Sequence, residues 1–315
     1  MGTVVIALGG NALQEAGAAA TAENQLTMAR KTAGYIADIA GSGWRVAVAH
    51  GNGPQVGRIV LQNEHAGAVT PAMPFDVCGA MSQGMIGYHI QLSLQEALRA
   101  RGLPGHVVTL VTQVVVDADD PMFSNPTKPI GPFYDEARAA EIAAEKGYVM
   151  KEDAGRGWRR VVASPLPVEI VEINAVRALL AQGFIPIAAG GGGIPVVRNG
   201  DGSLSGVAAV IDKDLAAALL AEDIDADTLL ILTAVDRVYL NYGKLGQTGL
   251  SVLSLADAAR YMGEGQFASG SMLPKVQAAV RFAASQQGRK AIIASLEDAA
   301  RALAGLAGTA IVRDV

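Results

Sequence analysis

The chain has 315 residues, enough for one large α/β domain or two lobes of about 150 residues each. Charged residues make up 17% and hydrophobic residues 50%, and Gly 37 with Pro 13 exceed their usual share, so the chain has ample core and disorder is excluded. A net charge of −5 argues against a nucleic-acid partner, and a single cysteine, Cys78, excludes a disulfide framework or a Cys-based structural zinc site.

Short apolar runs alternate with Ala/Leu-rich helical stretches. Val4–Leu8 predicts a strand, Leu26–Ser42 a helix, Arg45–Ala49 a second strand and Met85–Arg101 a second long helix. Val107–Val116 reads as one strand. Residues 119–167 then leave the rhythm: they are Pro-rich, carry the basic cluster Arg156-Gly157-Trp158-Arg159-Arg160, and hold one helical stretch near Asp135–Lys146. They read as an excursion from the sheet, a small subdomain or lid.

The alternation resumes with a helix over Ile170–Gln182, a strand over Ile185–Ala189, a helix over Lys213–Ala221 and a strand over Thr228–Leu232. A helix over Leu273–Gln286 and strands over Ala291–Ala294 and Thr309–Val312 complete it. The strands lack polar/apolar alternation, as expected of a mostly parallel sheet covered on both faces. Ala178–Val197 carries no charge and has the length of a membrane span, but Pro186, Gly190–Gly193 and Pro195 would break a helix repeatedly. It reads as helix, loop and buried strand. No charged segment precedes an apolar stretch at the N-terminus, so no signal peptide or membrane partner is expected, and the compartment expected is the cytoplasm.

Glycines gather where strands end: Gly9-Gly10-Asn11 after the first, Gly51-Asn52-Gly53-Pro54 after the second, and Gly190–Gly193 after Ile185–Ala189. Ligands of open α/β sheets bind outside the carboxyl ends of strands, where glycine lets backbone N–H groups approach an anion. A strand-to-helix turn explains one such loop; three together favour an anion cradle. The P-loop pattern is absent. Gly51-Asn52-Gly53-Pro54-Gln55-Val56-Gly57 misses the dinucleotide pattern by one position, and Asp76 falls in a Pro-flanked loop, which leaves a nicotinamide enzyme as runner-up. The four histidines (50, 65, 89, 106) show no ligand spacing, and Cys78 has no basic neighbour to activate it.

Eight of the 25 basic residues are lysines, and four of these sit in candidate site loops: Lys128, Lys213, Lys244 and Lys275. Phosphoryl transfer needs such cations, because its transition state spreads negative charge over the equatorial oxygens. The run Asp212-Lys213-Asp214 also suits an ordinary helix N-terminus with a capping aspartate.

Ala7-Leu8-Gly9-Gly10-Asn11-Ala12, His50 through Gly57, and Asn125 through Tyr134 resemble the motifs of the carbamate kinase family. So do Gly190 through Pro195, Ile211-Asp212-Lys213-Asp214, Ala234-Val235-Asp236 with Tyr239 through Lys244, and Gly263 through Lys275. The motifs keep one order from Val4 to Glu297. The resemblance implies an open three-layer αβα sandwich around a mostly parallel sheet of about eight strands, the amino-acid-kinase fold. It implies a carbamate or carbamoyl phosphate lobe over residues 1–210 with a protruding subdomain at 119–167, a nucleotide lobe over 211–315, and a homodimer. The implied reaction is ATP + carbamate = ADP + carbamoyl phosphate, with Mg²⁺ held by the nucleotide phosphates and no side chain assigned as a metal ligand.

Carried over residue by residue, Gly9, Gly10, Asn11, Gly51, Asn52, Gly53, Gln55, Gly191 and Gly192 would meet the phosphoryl group and carbamate. Lys128 would neutralise the moving phosphoryl, Lys213 and Lys275 would serve the phosphates, and Asp214 would orient the lysines. Asp212, Ala234, Val235, Tyr239, Tyr242, Lys244, Met272 and Pro274 would serve the nucleotide. Related amino-acid kinases carry a lysine just before the first glycine turn; Ala7 stands there, as in carbamate kinases, and Lys128 takes its place. Gly79, Ala163, Leu166 and Ser269 depart from the usual pattern. Open alternatives are a kinase of another carboxylate and a non-catalytic nucleotide sensor.

Overall fold

A computed structural model describes residues 2–10, 13, 19–153 and 155–313. The chain begins with β1 (Thr3–Leu8), α1 (Ala22–Gly41), β2 (Arg45–His50), α2 (Gly53–His65), α3 (Phe75–Ala100), β3 (Val107–Thr109) and β4 (Gln113–Val116). The excursion supplies β5 (Lys128–Tyr134), α4 (Glu136–Lys146), β6 (Met150–Glu152) and β7 (Trp158–Val162). There follow β8 (Pro167–Ile170), α5 (Ile173–Ala181), β9 (Ile185–Ile187), β10 (Ile194–Arg198), β11 (Leu204–Gly206), α6 (Lys213–Asp223) and β12 (Thr228–Thr233). The last part holds β13 (Val238–Leu240), β14 (Thr248–Leu250), β15 (Val252–Ser254), α7 (Leu255–Gly263), α8 (Met272–Ser285), β16 (Lys290–Ser295), α9 (Ala299–Leu303) and β17 (Thr309–Val312).

The main sheet has eight strands in the order β15-β17-β16-β12-β1-β2-β9-β3. All neighbours are parallel except β16 and β17. Because successive strand residues face opposite ways, β1 feeds two cores. Val4, Ile6 and Leu8 pack with Ile36 of α1, Ile90 and Leu94 of α3 and Leu303 of α9. Val5 and Ala7 face Leu220 of α6 and Phe282 of α8. The result is the expected three-layer αβα sandwich. Phe282 is fully buried, and Phe282→Ala would cost about 3–5 kcal/mol in lost transfer and cavity energy.

The structure corrects three expectations. The apolar run Val107–Val116 is two strands in two sheets: β3 pairs with β9, whereas β4 pairs with β10 in a second sheet ordered β11-β10-β4-β8. The break falls at Thr112, whose N–H and carbonyl are both taken by the Gln83 side chain, at 2.9 and 3.1 Å. Helix α3 starts ten residues earlier than its periodicity suggests, so Asp76 lies in its first turn and not in a loop. Glycines had blurred the pattern; one of them, Gly87, lets β3 approach, since a Cβ there would lie 2.2 Å from Thr109 Cγ2. The helix expected over Ile170–Gln182 is instead the end of β8 followed by α5.

The excursion forms its own three-stranded sheet, β5-β7-β6, with α4 beside it. Asp135 caps α4 by accepting from Arg138 N–H at 2.8 Å, and Gly147 ends it in the left-handed conformation (φ 67°). Among the described residues no helix is long and apolar enough to cross a membrane.

Candidate active site

The three glycine turns meet at the carboxyl ends of β1, β2 and β9, and at Gly9, Gly51, Gly191 and Gly192 they interlock without room for a side chain. A Cβ on Gly9 would lie 2.9 Å from the Leu232 carbonyl oxygen, and one on Gly51 would lie 2.9 Å from Lys213 Cδ. The Lys213 stem therefore runs directly over Gly51. In the third turn Gly191 and Gly192 have φ of 69° and 95°, and a Cβ on Gly191 would lie 2.2 Å from Asn52 Nδ2. On Gly192 it would strike the Ile211 carbonyl oxygen at 2.3 Å, just before α6. Only glycine meets both the left-handed backbone and the contact. Gly10 is exposed beside this junction, Gly53 opens α2, and Asn11 lies outside the described residues.

Lysines from three elements converge on two carboxylates at the start of α6. Lys128, from β5 of the separate three-stranded sheet, donates to Asp212 Oδ2 at 2.5 Å. Lys213 donates to Asp214 Oδ1 at 2.5 Å, and Lys275, from the first turn of α8, to Asp214 Oδ2 at 3.1 Å. Asp212 also caps α6: its Oδ1 accepts from the N–H groups of Asp214 (2.9 Å) and Leu215 (3.4 Å). Burial would push Asp212 up, but the charge and hydrogen bond of Lys128, with Lys213 and the Asp214 N–H, hold it down at about 2. Burial lowers Lys213 from the ordinary lysine range and the nearby Lys275 adds to this, against Asp214, which raises it. The arrangement is a set of cations already ordered by carboxylates, suited to receiving phosphate oxygens.

A buried polar layer behind the turns was not singled out from the sequence. Gln83 Nε2 donates to the Gly190 carbonyl at 2.8 Å as well as to Thr112, tying the third turn to α3. Asn52 donates to Ser82 Oγ at 2.7 Å, and Ser82 in turn to the Gly79 carbonyl at 2.6 Å. His50 Nδ1 lies 2.9 Å from the Gly51 carbonyl, and its Nε2 is buried with no hydrogen-bond partner among the described residues. Burial, with a lesser push from Lys213, lowers His50 to about 4 despite the Gly51 hydrogen bond, so the ring is neutral and donates from Nδ1. The pattern Ser82-Gln83 on a helix was the available signal, since neither side chain belongs on an apolar face without a partner.

On the other side of α6, Ala234 and Val235 follow β12, and Tyr239 and Tyr242 form a tilted ring pair 6.0 Å apart on the β13–β14 hairpin. The Tyr239 hydroxyl donates to Asp236 at 2.7 Å. Met272 and Pro274 open α8 in the same first turn as Lys275. Lys244 is exposed on the turn of the hairpin and does not join the lysine cluster; Gln55 is buried and lines a small void with Leu13, Gln25, Ala29, Ile86 and His89. The departures from the family pattern are accommodated: a Cβ on Gly79 meets open space, and Leu166 is exposed. Among the described residues no group of three or more His, Cys, Asp or Glu side chains could hold a metal ion, and both acids of the cluster are engaged by lysines.

The family model for the amino acid kinase family matches residues 2–295. The carbamate kinase of Clostridium perfringens is 55% identical over 98% of this chain and 99% of its own length. That of Pyrococcus horikoshii is 52% identical over 98% of both chains. The solved structure of carbamate kinase from Giardia lamblia bound to AMP-PNP is 46% identical, covers 99% of both chains and superposes with a TM-score of 0.92. The chain therefore belongs to the carbamate kinase family, within the amino acid kinase superfamily.

Proposed function

We propose that this chain transfers a phosphoryl group reversibly between ATP and carbamate, giving ADP and carbamoyl phosphate, and that in the cell it makes ATP from carbamoyl phosphate released in arginine, purine or ureide breakdown. The reading is carried by one observation: Lys128, Lys213 and Lys275 meet Asp212 and Asp214 where three glycine turns open. Residues 1–210 take carbamate or carbamoyl phosphate, residues 211–315 the nucleotide, and the subdomain 119–167 brings Lys128 between them.

In the ATP-forming direction an oxygen of the ADP β-phosphate attacks phosphorus in line, and the P–O bond to carbamate breaks. Carbamate leaves as an anion, so no general acid or base is required. Lys128 balances charge on the moving phosphoryl; Lys213 and Lys275, held by Asp214, balance the phosphates on either side. Backbone N–H groups of the turns at Gly9–Gly10, Asn52–Gly53 and Gly190–Gly191 orient carbamate and phosphate oxygens, those of Gly51 and Gly192 being bonded to the Leu8 and Ala189 carbonyls, and Asn11 adds a side-chain amide. Ala234, Val235, Tyr239, Tyr242, Met272 and Pro274 seat the nucleotide base and sugar. With the site acids engaged by lysines, Mg²⁺ would be held by the nucleotide phosphates, where it would supply further charge neutralisation.

The exposed stripe Val77, Met81, Tyr88 and Leu92 along α3 supports a homodimer with α3 at its interface, and the compartment is the cytoplasm. The decisive test is ATP formation from ADP and carbamoyl phosphate with Mg²⁺, run beside acylated amino acids with ATP. Turnover only in the second assay, or nucleotide binding without turnover in either, would overturn the reading.

A further inference from the structure

The protruding subdomain meets the body of the protein along α2, and three features mark that joint. Its closest contact is backbone on backbone: a Cβ on Gly57 of α2 would lie 2.2 Å from Gly131 N and Cα. Beside this contact the joint is not filled. A cavity of about 210 Å³ lies between Val60 and Leu61 of α2 and Ile130, Tyr134, Ile142 and Met150 of the subdomain. On the wall of this cavity, one carboxylate of the body collects three groups of the subdomain. Glu64, in the last turn of α2, accepts from Lys146 Nζ and from the Tyr148 hydroxyl, and the Arg160 guanidinium is 3.7 Å away. Arg160 also stacks on the Tyr148 ring, 3.6 Å from its centroid, and reaches toward Phe75 at the start of α3.

Apolar packing at this joint is confined to Ile130 and Val162 against Phe75 and Val210, and beside the cavity the polar contacts at Glu64 add to what fixes where the subdomain sits. Hydrogen bonds to a partly buried carboxylate are stronger than exposed ion pairs, and the Glu64 side chain is only 20% exposed. The position fixed at Glu64 is passed on through the small sheet. Arg160 of β7 pairs in register with Ile130 of β5, two residues from Lys128 on the same strand.

We propose that Glu64 is the latch of the subdomain, a positioning residue that acts through Lys146, Tyr148 and Arg160 to hold Lys128 at Asp212. The proposal rests on the phosphoryl-transfer reading for its kinetic test but not for its structural one. With Glu64→Gln the docked fraction drops, and turnover drops with it by about tenfold, as expected for losing charge-assisted hydrogen bonds. KM for ADP stays within about twofold and Tm within a few degrees, because the nucleotide side and the main core are untouched. In a Lys128→Ala background the same substitution costs less than about twofold, since a latch works only through the group it positions. Tyr148→Phe, which removes one donor, gives a smaller loss of the same kind.

The structural arm uses no substrate. Nitroxides at Arg45→Cys, on the far end of β2, and Lys151→Cys, on β6, in a Cys78→Ser chain give one distance component. Glu64→Gln adds a second. Unchanged distances, turnover within twofold of the parent, or an undiminished tenfold loss in the Lys128→Ala background would each overturn the latch. Absence of turnover in the parent chain would instead fail the phosphoryl-transfer reading and leave the distance measurement to decide the latch.

Discussion

The glycine turns and the protruding subdomain serve the same site by opposite means. The turns are built from backbone, with neighbours that leave no space for a Cβ at Gly9, Gly51, Gly191 and Gly192, and they are braced by buried Gln83 and Ser82. The subdomain contributes a long side chain, Lys128, and its joint to α2 contains an open cavity and a polar cluster. Backbone donors fixed by a packed sheet cannot be displaced without unfolding the sheet. Lys128 instead reaches the site as a side chain from a separate three-stranded sheet, joined to the body at Gly57, Glu64 and Asp212. The site thus divides between a permanent cradle of backbone and a charge brought to it on a side chain.

The sharpest way to test that division is to remove a cation from each part. Lys213→Ala, over Gly51, and Lys128→Ala, on the subdomain, are both expected to lower kcat by about 10²–10³-fold, as losing one transition-state charge contact does. They separate in ADP binding: calorimetry should find it weakened by Lys213→Ala and nearly unchanged by Lys128→Ala. Near-normal turnover of either variant removes that lysine from the site.

The permanent part carries its own pH signature. His50 has a folded pKa of about 4 against an ordinary 6.5, so the unfolded chain binds more protons between those values. Its contribution is fully present above pH 6.5 and is lost as pH falls toward 4, amounting to about 2 kcal/mol between pH 7 and 5. Urea denaturation at the two pH values should show that loss in the parent and a flatter dependence in His50→Gln.

At the joint, Gly57→Ala sets local against tertiary preference. Alanine favours helix α2 by about 1 kcal/mol over glycine, yet its Cβ would collide with Gly131. Turnover should fall about tenfold or more while thermal stability holds or rises; a fall in both would mean the subdomain and body form one packed unit. The smallest expected effect is on the alkaline limb of kcat. Burial lowers Lys213, so the rate should begin to fall below the ordinary lysine range, and Lys213→Arg, which stays charged, should lose that limb whatever its absolute rate.

Much of this division could be read in the sequence. Three strand-end glycine clusters, and lysines at 128, 213 and 275, stand out because composition places few cations and many glycines in the chain. Asp212 was legible as a helix cap and by resemblance as a nucleotide residue, and in the structure it caps α6 while holding Lys128. What stayed hidden depends on partners distant in the chain. Ser82-Gln83 on a helix signals a buried partner but not which one until Thr112 and Gly190 are beside Gln83, and Glu64 looks like any surface acid at a helix end. The junction between β3 and β4 was invisible because the apolar run carries across their break, from Val107 to Val116. Lys244 shared the glycine-flanked context of the others, but its hairpin turns it outward.

The position of β1 has a bearing on how the protein is made. This first strand lies between β2 and β12, with Val4 opposite Thr228 and Thr3 N–H bonded to Asp227 at 2.6 Å. During synthesis β1 thus waits for a neighbour more than two hundred residues further along the chain. Until then one edge of β1 is an unpaired apolar strand, open to other nascent chains. Fragments cut before β12 should therefore aggregate rather than behave as independent lobes, and refolding should be limited by this one long-range pairing.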